Sequence, residues 1–194
     1  MCQEPFLGVI NGRATSLPKP AYPKHLQDLC AEGRVEVELL LDERGKVLET
    51  TPLSGDELLY EVAQEAAKLA RFSRPLSQNV RSKGIVVYNF VPETKCIDAG
   101  NIFGKWLKKP SFSIHPHLII EEEREILLRI GINPFTGEVV AAKAIGGHPI
   151  SGKTLEAEAM KLKFRPAMIN APYFNVKGFF KLKVKKDRTV TPVL

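Results

Sequence analysis

Leu53-Ser-Gly-Asp-Glu-Leu-Leu-Tyr-Glu-Val-Ala-Gln-Glu-Ala-Ala-Lys-Leu-Ala-Arg-Phe72 occurs twice in this chain. At a constant shift and without a gap, Ile145-Gly-Gly-His-Pro-Ile-Ser-Gly-Lys-Thr-Leu-Glu-Ala-Glu-Ala-Met-Lys-Leu-Lys-Phe164 lies over it. Leu53 falls on Ile145, Gly55 on Gly147, Leu58 on Ile150, Leu69 on Lys161 and Phe72 on Phe164. The flanking residues correspond as well, so one unit is duplicated, and a motif found in only one copy is suspect. The chain has 194 residues. With a domain prior of roughly 100 to 150 residues, the repeat favours two small domains over one large one.

Outward from this stretch, each copy reads α-β-β-α-β. Tyr22-Pro23 opens a short helix with Leu26, Leu29 and Cys30 on one face. Gly33 ends it. Val35, Val37, Leu39 and Leu41 then alternate with Glu36, Glu38 and Leu40, the pattern of a half-buried strand. Asp42 to Gly45 makes a hairpin turn, and Val47 to Leu53 returns. Asp56 is an N-cap for a helix whose apolar stripe is rich in alanine, which lets a helix lie close to a sheet. Phe72 and Pro75 close it, and Gly84 to Phe90 is the third strand. In the second copy His115-Pro116 replaces Tyr22-Pro23, and Ile126, Leu128, Ile130 and Ile132 replace the inward residues of the first strand. Gly178 to Val184 is the last strand.

The fold class expected is therefore α+β, with two tandem units of a three-stranded antiparallel sheet and two helices each. The boundaries are a leader at 1–19, a first domain at 20–91, a linker at 92–112, a second domain at 113–185 and a tail at 186–194. Val35, Val37, Leu39, Leu41, Phe72, Val86, Tyr88 and Phe90 form the expected core of the first unit. Ile126, Leu128, Ile130, Phe164, Phe180, Leu182 and Val184 form that of the second.

Composition excludes little. The chain is 44% hydrophobic and 26% charged, ordinary for a globular protein, and no stretch approaches the ~18 continuous apolar residues of a membrane span. A signal peptide with a basic start and an apolar core is absent, so an exported protein would be represented by a mature or truncated form. Residues 1–97 carry 12 basic and 13 acidic side chains; the remainder carry 16 and 9. The basic second half suits an anionic partner, but its lysines are scattered without interleaved aromatics, and a solvated face is the better account. No nucleic-acid partner is expected.

Chemistry-bearing motifs are few. Gly147-His-Pro-Ile-Ser-Gly152-Lys153-Thr154 fits the phosphate-cradling Walker A pattern. The first copy has Gly55-Asp-Glu-Leu-Leu-Tyr60 in its place, and a small meander offers no parallel sheet for a nucleotide fold. His115 and His117 lack a third ligand nearby. No catalytic residue, metal or cofactor is expected, and the chain is read as a non-enzyme. Cys30 and Cys96 flank the first unit, either bridged in an oxidising compartment or as buried free thiols. Cys2 is either the acylated cysteine of a lipoprotein or the mere start of the sequence.

Tyr22-Pro23, Gly33-x-Val35-x-Val37, Asp42-x-x-Gly45-x-Val47, Ser54-Gly55, the alanine helix, Arg71-Phe72-x-x-Pro75 and Gly84-x-Val86-x-Tyr88-x-Phe90 together resemble the C-terminal domain of TonB energy transducers. The second unit resembles it more distantly, through Gly137-x-Val139, Gly146-Gly147 and Phe164-x-Pro166. The resemblance implies a sheet whose last strand lends its edge to a short peptide, the TonB box of an outer-membrane receptor. It implies a periplasmic or cell-envelope location, with the membrane reached only through a removed anchor or a lipidated Cys2. The membrane anchor and the Pro/Lys/Glu-rich spacer of a full transducer are not part of this sequence.

The partner-accepting edge expected is Gly84, Ile85, Val86, Val87, Tyr88, Asn89 and Phe90, the partner being a receptor peptide or, by self-association, another unit of the same protein. Its outward residues Ile85, Val87 and Asn89 carry no protective charge, whereas Lys181 and Lys183 in the second unit do. The second unit's lysine-lined edge is expected to stay open or to take only acidic partners. The rival readings are a scaffold with the two units paired edge to edge, and a binder of an anionic polymer.

Overall fold

The computed structural model describes residues 5–73, 81–99, 112, 123–146, 149–166, 174–186 and 190–192. Pro75, Cys2, Trp106, His115 and His117 lie outside them. In chain order the elements are β1 (Phe6–Val9), β2 (Ala14–Ser16), α1 (Lys24–Asp28), β3 (Gly33–Leu41), β4 (Val47–Ser54), α2 (Tyr60–Leu69), β5 (Arg71–Phe72) and β6 (Ser82–Phe90). Then come β7 (Lys95–Asp98), β8 (Arg124–Ile132), β9 (Val139–Ile145), α3 (Pro149–Ala159), β10 (Phe174–Val184) and β11 (Val190–Pro192). The architecture is α+β. Residues 1–23 and 31–91 form one compact unit, and residues 24–30 and 92–194 form the other.

In the first unit β3 is central, antiparallel to β6 on one side and to β4 on the other. Val35, Val37, Leu39, Leu41, Val86, Tyr88 and Phe90 all face inward and are buried, with Phe72 beside them. Each fully buried side chain of this kind contributes about 1.5–3 kcal/mol. Ala63, Ala66 and Ala67 are the buried face of α2, as small residues at a close helix–sheet contact require. Asp56 caps a short 3-10 turn ahead of α2, its carboxylate accepting from the Leu58 N–H at 3.2 Å. At the hairpin, the Asp42 carboxylate accepts from the N–H of Lys46 at 2.8 Å and of Arg44 at 2.9 Å. Those two donors, Lys46 foremost, hold its pKa below the usual carboxylate range.

Two elements differ from expectation here. The leader, which shows little periodicity, supplies β1, which runs parallel to β6, and β2, which pairs with β5. The sheet is thus four-stranded, in the order β1-β6-β3-β4. Residues 24–30, expected within the first domain, group with the second unit instead.

Tyr88 is 6% exposed, and its hydroxyl has no hydrogen-bond partner among the described residues. Burial pushes the phenol from its ordinary value up to about 12. A raised folded pKa stabilises fully below the unfolded value of about 10 and is lost as pH rises through 12. Urea unfolding should therefore show about 3 kcal/mol of stability disappearing across that window. Tyr88→Phe should remove this dependence and leave stability at pH 7 unchanged or higher, because no bond is lost. A pH profile identical in both chains would sink the assignment.

In the second unit β8 is central between β10 and β9, with β11 and β7 both beside β10. Ile126, Leu128, Ile130, Phe164, Phe180, Leu182 and Val184 are buried in one core with Leu155 and Ala159 of α3. The sheet has five strands where three were expected, because β7 and β11 add to β10. Gly152-Lys153-Thr154 lies within α3, which begins ahead of it, and a Cβ on Gly152 would sit 3.2 Å from the Ala144 Cβ.

One local contact takes the same form in both units. Gly45 (φ +79) and Gly137 (φ +72) accept from the N–H of Phe72 at 3.0 Å and of Phe164 at 2.7 Å. Lys46 bridges Arg71 as Glu138 bridges Lys163.

The other face of the second sheet carries α1, which packs on β9 and β10. Arg129, 6% exposed, donates from Nε to the Leu29 carbonyl at 2.6 Å and from a terminal nitrogen to the Cys30 carbonyl. It thereby caps the C-terminal end of α1 with a cation, where the helix dipole favours one. Its guanidinium also lies 5.5 Å from the Phe179 ring centroid. A Cβ on Gly131 would fall 2.1 Å from the Asp28 carbonyl oxygen, so only glycine lets α1 rest on β8. Cys30 takes a positive φ at the end of this segment and is bridged to Cys96 on β7, with Cα atoms 5.9 Å apart.

Candidate functional site

The residues singled out from sequence all lie on β6. Gly84, Val86, Tyr88 and Phe90 are buried, whereas Ile85 and Val87 are half-buried and Asn89 is exposed. Among the other family-pattern residues, Tyr22 donates its hydroxyl to the Ala31 carbonyl at 2.5 Å and packs edge-on against Phe90. Ser54 ends β4, and a Cβ on Gly55 would lie 2.6 Å from the Arg34 carbonyl oxygen. These residues, with Pro23, Gly45 and Phe72, position β3 and β6.

The edge of β6 already holds a strand. Pro5 accepts from the Lys83 N–H at 2.9 Å, and the Ile85 carbonyl accepts from the Ile10 N–H at 2.8 Å. The Asn11 side chain completes the row, donating to the Val87 carbonyl at 2.7 Å and accepting from the Val87 N–H at 2.8 Å. The pairing is irregular between Phe6 and Val9, where Gly8 takes φ +68.

Along this segment Ile10 is 1% exposed, whereas Phe6 and Val9 are each 59% exposed.

The second unit's edge differs from the expectation that it stays open. β10 is flanked by β7 at Phe174–Lys177 and by β11 at Leu182–Val184. Lys181 and Lys183 are spent on ion pairs with Glu125 at 2.7 Å and Glu123 at 2.8 Å, and Glu123 raises the Lys183 pKa. They do not guard the edge; short strands of the same unit do. Among the described residues the neighbours of β6 and of β10 are strands of their own unit.

Sequence reasoning missed Ile10 and Asn11. Four residues of Phe-Leu-Gly-Val are too few for an alternation to register, and Asn11-Gly12 reads as a turn. The available signal was Gly84 itself, a strand glycine, which often marks a close approach by another group.

Among the described residues no cluster of three or more His, Cys, Asp or Glu side chains could hold a metal. Nor is any helix there long and apolar enough to cross a membrane. What remains on the first unit is a sheet edge with a strand laid along it.

Residues 18–92 match the model of the Gram-negative bacterial TonB protein C-terminal family.

The TonB match covers β3, β4, α2 and β6 and spans less than half of the chain. It stops before the second unit's sheet and does not extend to that unit. No curated protein and no solved structure matches the chain. TonB C-terminal domains are non-catalytic, protein-binding domains of the cell envelope.

Proposed function

We propose that this chain is a non-enzymatic interaction protein of the bacterial cell envelope whose TonB-like unit takes up a partner strand along Gly84–Phe90. The observation that carries this reading is β1 itself, a strand already added in parallel to β6. Strand addition draws affinity from backbone hydrogen bonds and selectivity from side-chain seats. The TonB match supports a TonB-box-like segment of an outer-membrane receptor as partner, and with it a part in outer-membrane transport. The Cys30–Cys96 bridge fits an oxidising compartment such as the periplasm.

The test is a titration of isotope-labelled chain with a synthetic TonB-box peptide, followed by amide shifts. Shifts should cluster at Gly84–Phe90. The Val87 N–H points at Asn11 and not at β3, so Val87→Pro removes an edge donor while sparing the central ladder. It should weaken binding at least tenfold, whereas Lys183→Pro should leave binding intact, provided circular dichroism shows both chains folded. Shifts confined to β4 or to the second unit would mean that the wrong edge was chosen.

A further inference from the structure

Two adjacent residues of the leader, Ile10 and Asn11, set their side chains directly against β6. A Cβ on Gly84 would sit 2.6 Å from Ile10 Cδ1, 3.0 Å from Cγ1 and 3.1 Å from Cγ2. The missing side chain of Gly84 is therefore a seat, and Ile10, 1% exposed, fills it. Any larger residue at 84 would evict the isoleucine. Next to it, Asn11 both donates to and accepts from the backbone of Val87. Only a short side-chain amide carries a donor and an acceptor in that arrangement; aspartate offers no donor, and its oxygens repel the carbonyl. Phe6 and Val9 stay largely in water, and Gly8 contributes no side chain.

We infer that the leader is a built-in competitor for the β6 edge, and that the partner strand displacing it carries a branched aliphatic residue followed directly by asparagine. This rests on the strand-acceptor reading above and adds to it a sequence requirement and a cis occupant. The partner strand runs parallel to β6, as β1 does. Its aliphatic side chain replaces Ile10 over Gly84, and its asparagine replaces Asn11 on Val87. Ahead of that pair, in β1, only Leu7 carries a half-buried apolar side chain, so the positions of Phe6, Gly8 and Val9 tolerate wide variation. A partner that buries more at the positions of Phe6 and Val9 gains over the leader there.

The experiment uses the full chain and a fluorescein-labelled peptide of the sequence Pro5–Asn11. In the Asn11→Ala chain the cis strand loses both bonds to Val87, leaving the edge easier to enter. Fluorescence polarisation should show the peptide binding this chain at least tenfold more tightly than it binds the wild type. Ile10→Ala and Asn11→Ala forms of the peptide should each lose at least tenfold on the same chain. Equal binding to wild type and Asn11→Ala overturns the competitor assignment, as does the absence of binding to either. Substituted peptides that bind as well as the parent overturn the aliphatic–asparagine requirement. In that case shifts still mapping to Gly84–Phe90 would leave strand addition standing, so the two failures are separable. Should Asn11→Ala not fold, Asn11→Asp keeps the acceptor, loses the donor and serves the same comparison. A wild-type dimer by light scattering that Asn11→Ala dissolves would assign the seat to a second copy's leader and overturn the partner assignment.

Discussion

A chain carrying Cys30→Ser and Cys96→Ser should lose about 4 kcal/mol, and the thermal transition of its second unit should fall by on the order of 10 °C. The bridge closes a loop with a sequence separation of 66, which removes considerable freedom from the unfolded chain. In the folded state both cysteines belong to the second unit, Cys30 at the end of the segment that covers one face of β8 and Cys96 on the short strand β7. Losing the bond frees two elements that are otherwise held by few contacts, α1 with five residues and β7 with four. Either single serine variant should behave like the double one, since one missing sulfur abolishes the bond. Calorimetry of oxidised and reduced wild type checks this directly. Melting points within about two degrees of each other would show that the loop is already restrained without the bridge.

Gly45→Ala and Gly137→Ala should each cost about 3–5 kcal/mol, the sum of backbone strain and overpacking. At both positions φ is positive, and an added Cβ would lie 2.1 Å from a backbone carbonyl oxygen, that of Phe72 or of Phe164. Neither oxygen can move far, because the adjoining Phe N–H is bonded back to the same glycine. Gly146 supplies the control: its φ is +78, but nothing lies within 4 Å of the Cβ position. Gly146→Ala should therefore show the strain alone, about 1–3 kcal/mol. Urea denaturation of the three variants separates the two contributions. Equal losses at 137 and 146 would mean that the carbonyl yields, and the close approach would then add nothing.

The contrast between what could be read from residues and what could not follows from length and locality. β3 and β8 each run for nine residues with strict alternation, long enough for the buried face to be named residue by residue. Gly45 and Gly137, and likewise Phe72 and Phe164, were legible as corresponding residues, but the bond that joins each glycine to its phenylalanine was not, because it links positions 27 apart. β1, β7 and β11 have four, four and three residues, and their pairing depends on partners far along the chain. Their presence beside β6 and β10 altered the reading of both edges. Lysines on a strand such as β10 read as edge guards, because charge there often plays that part. Cross-strand glutamates account for them here. The same locality explains α1. Its sequence says helix, but its destination is set by Arg129 and Gly131, at positions where the first copy has Glu38 and Leu40.

That destination bears on how the chain can be divided. Residues 24–30 lie early in the sequence but belong to the second unit's fold, with Gly131 making room for the Asp28 carbonyl. A cut anywhere between residues 31 and 91 therefore separates α1 from β9 and β10, the strands on which it packs. The fragment that begins after such a cut has an uncovered sheet face, and the fragment that ends there carries a helix with no sheet to cover. Expression of either half should call for residues 24–30 to be moved by circular permutation to the piece that holds β8.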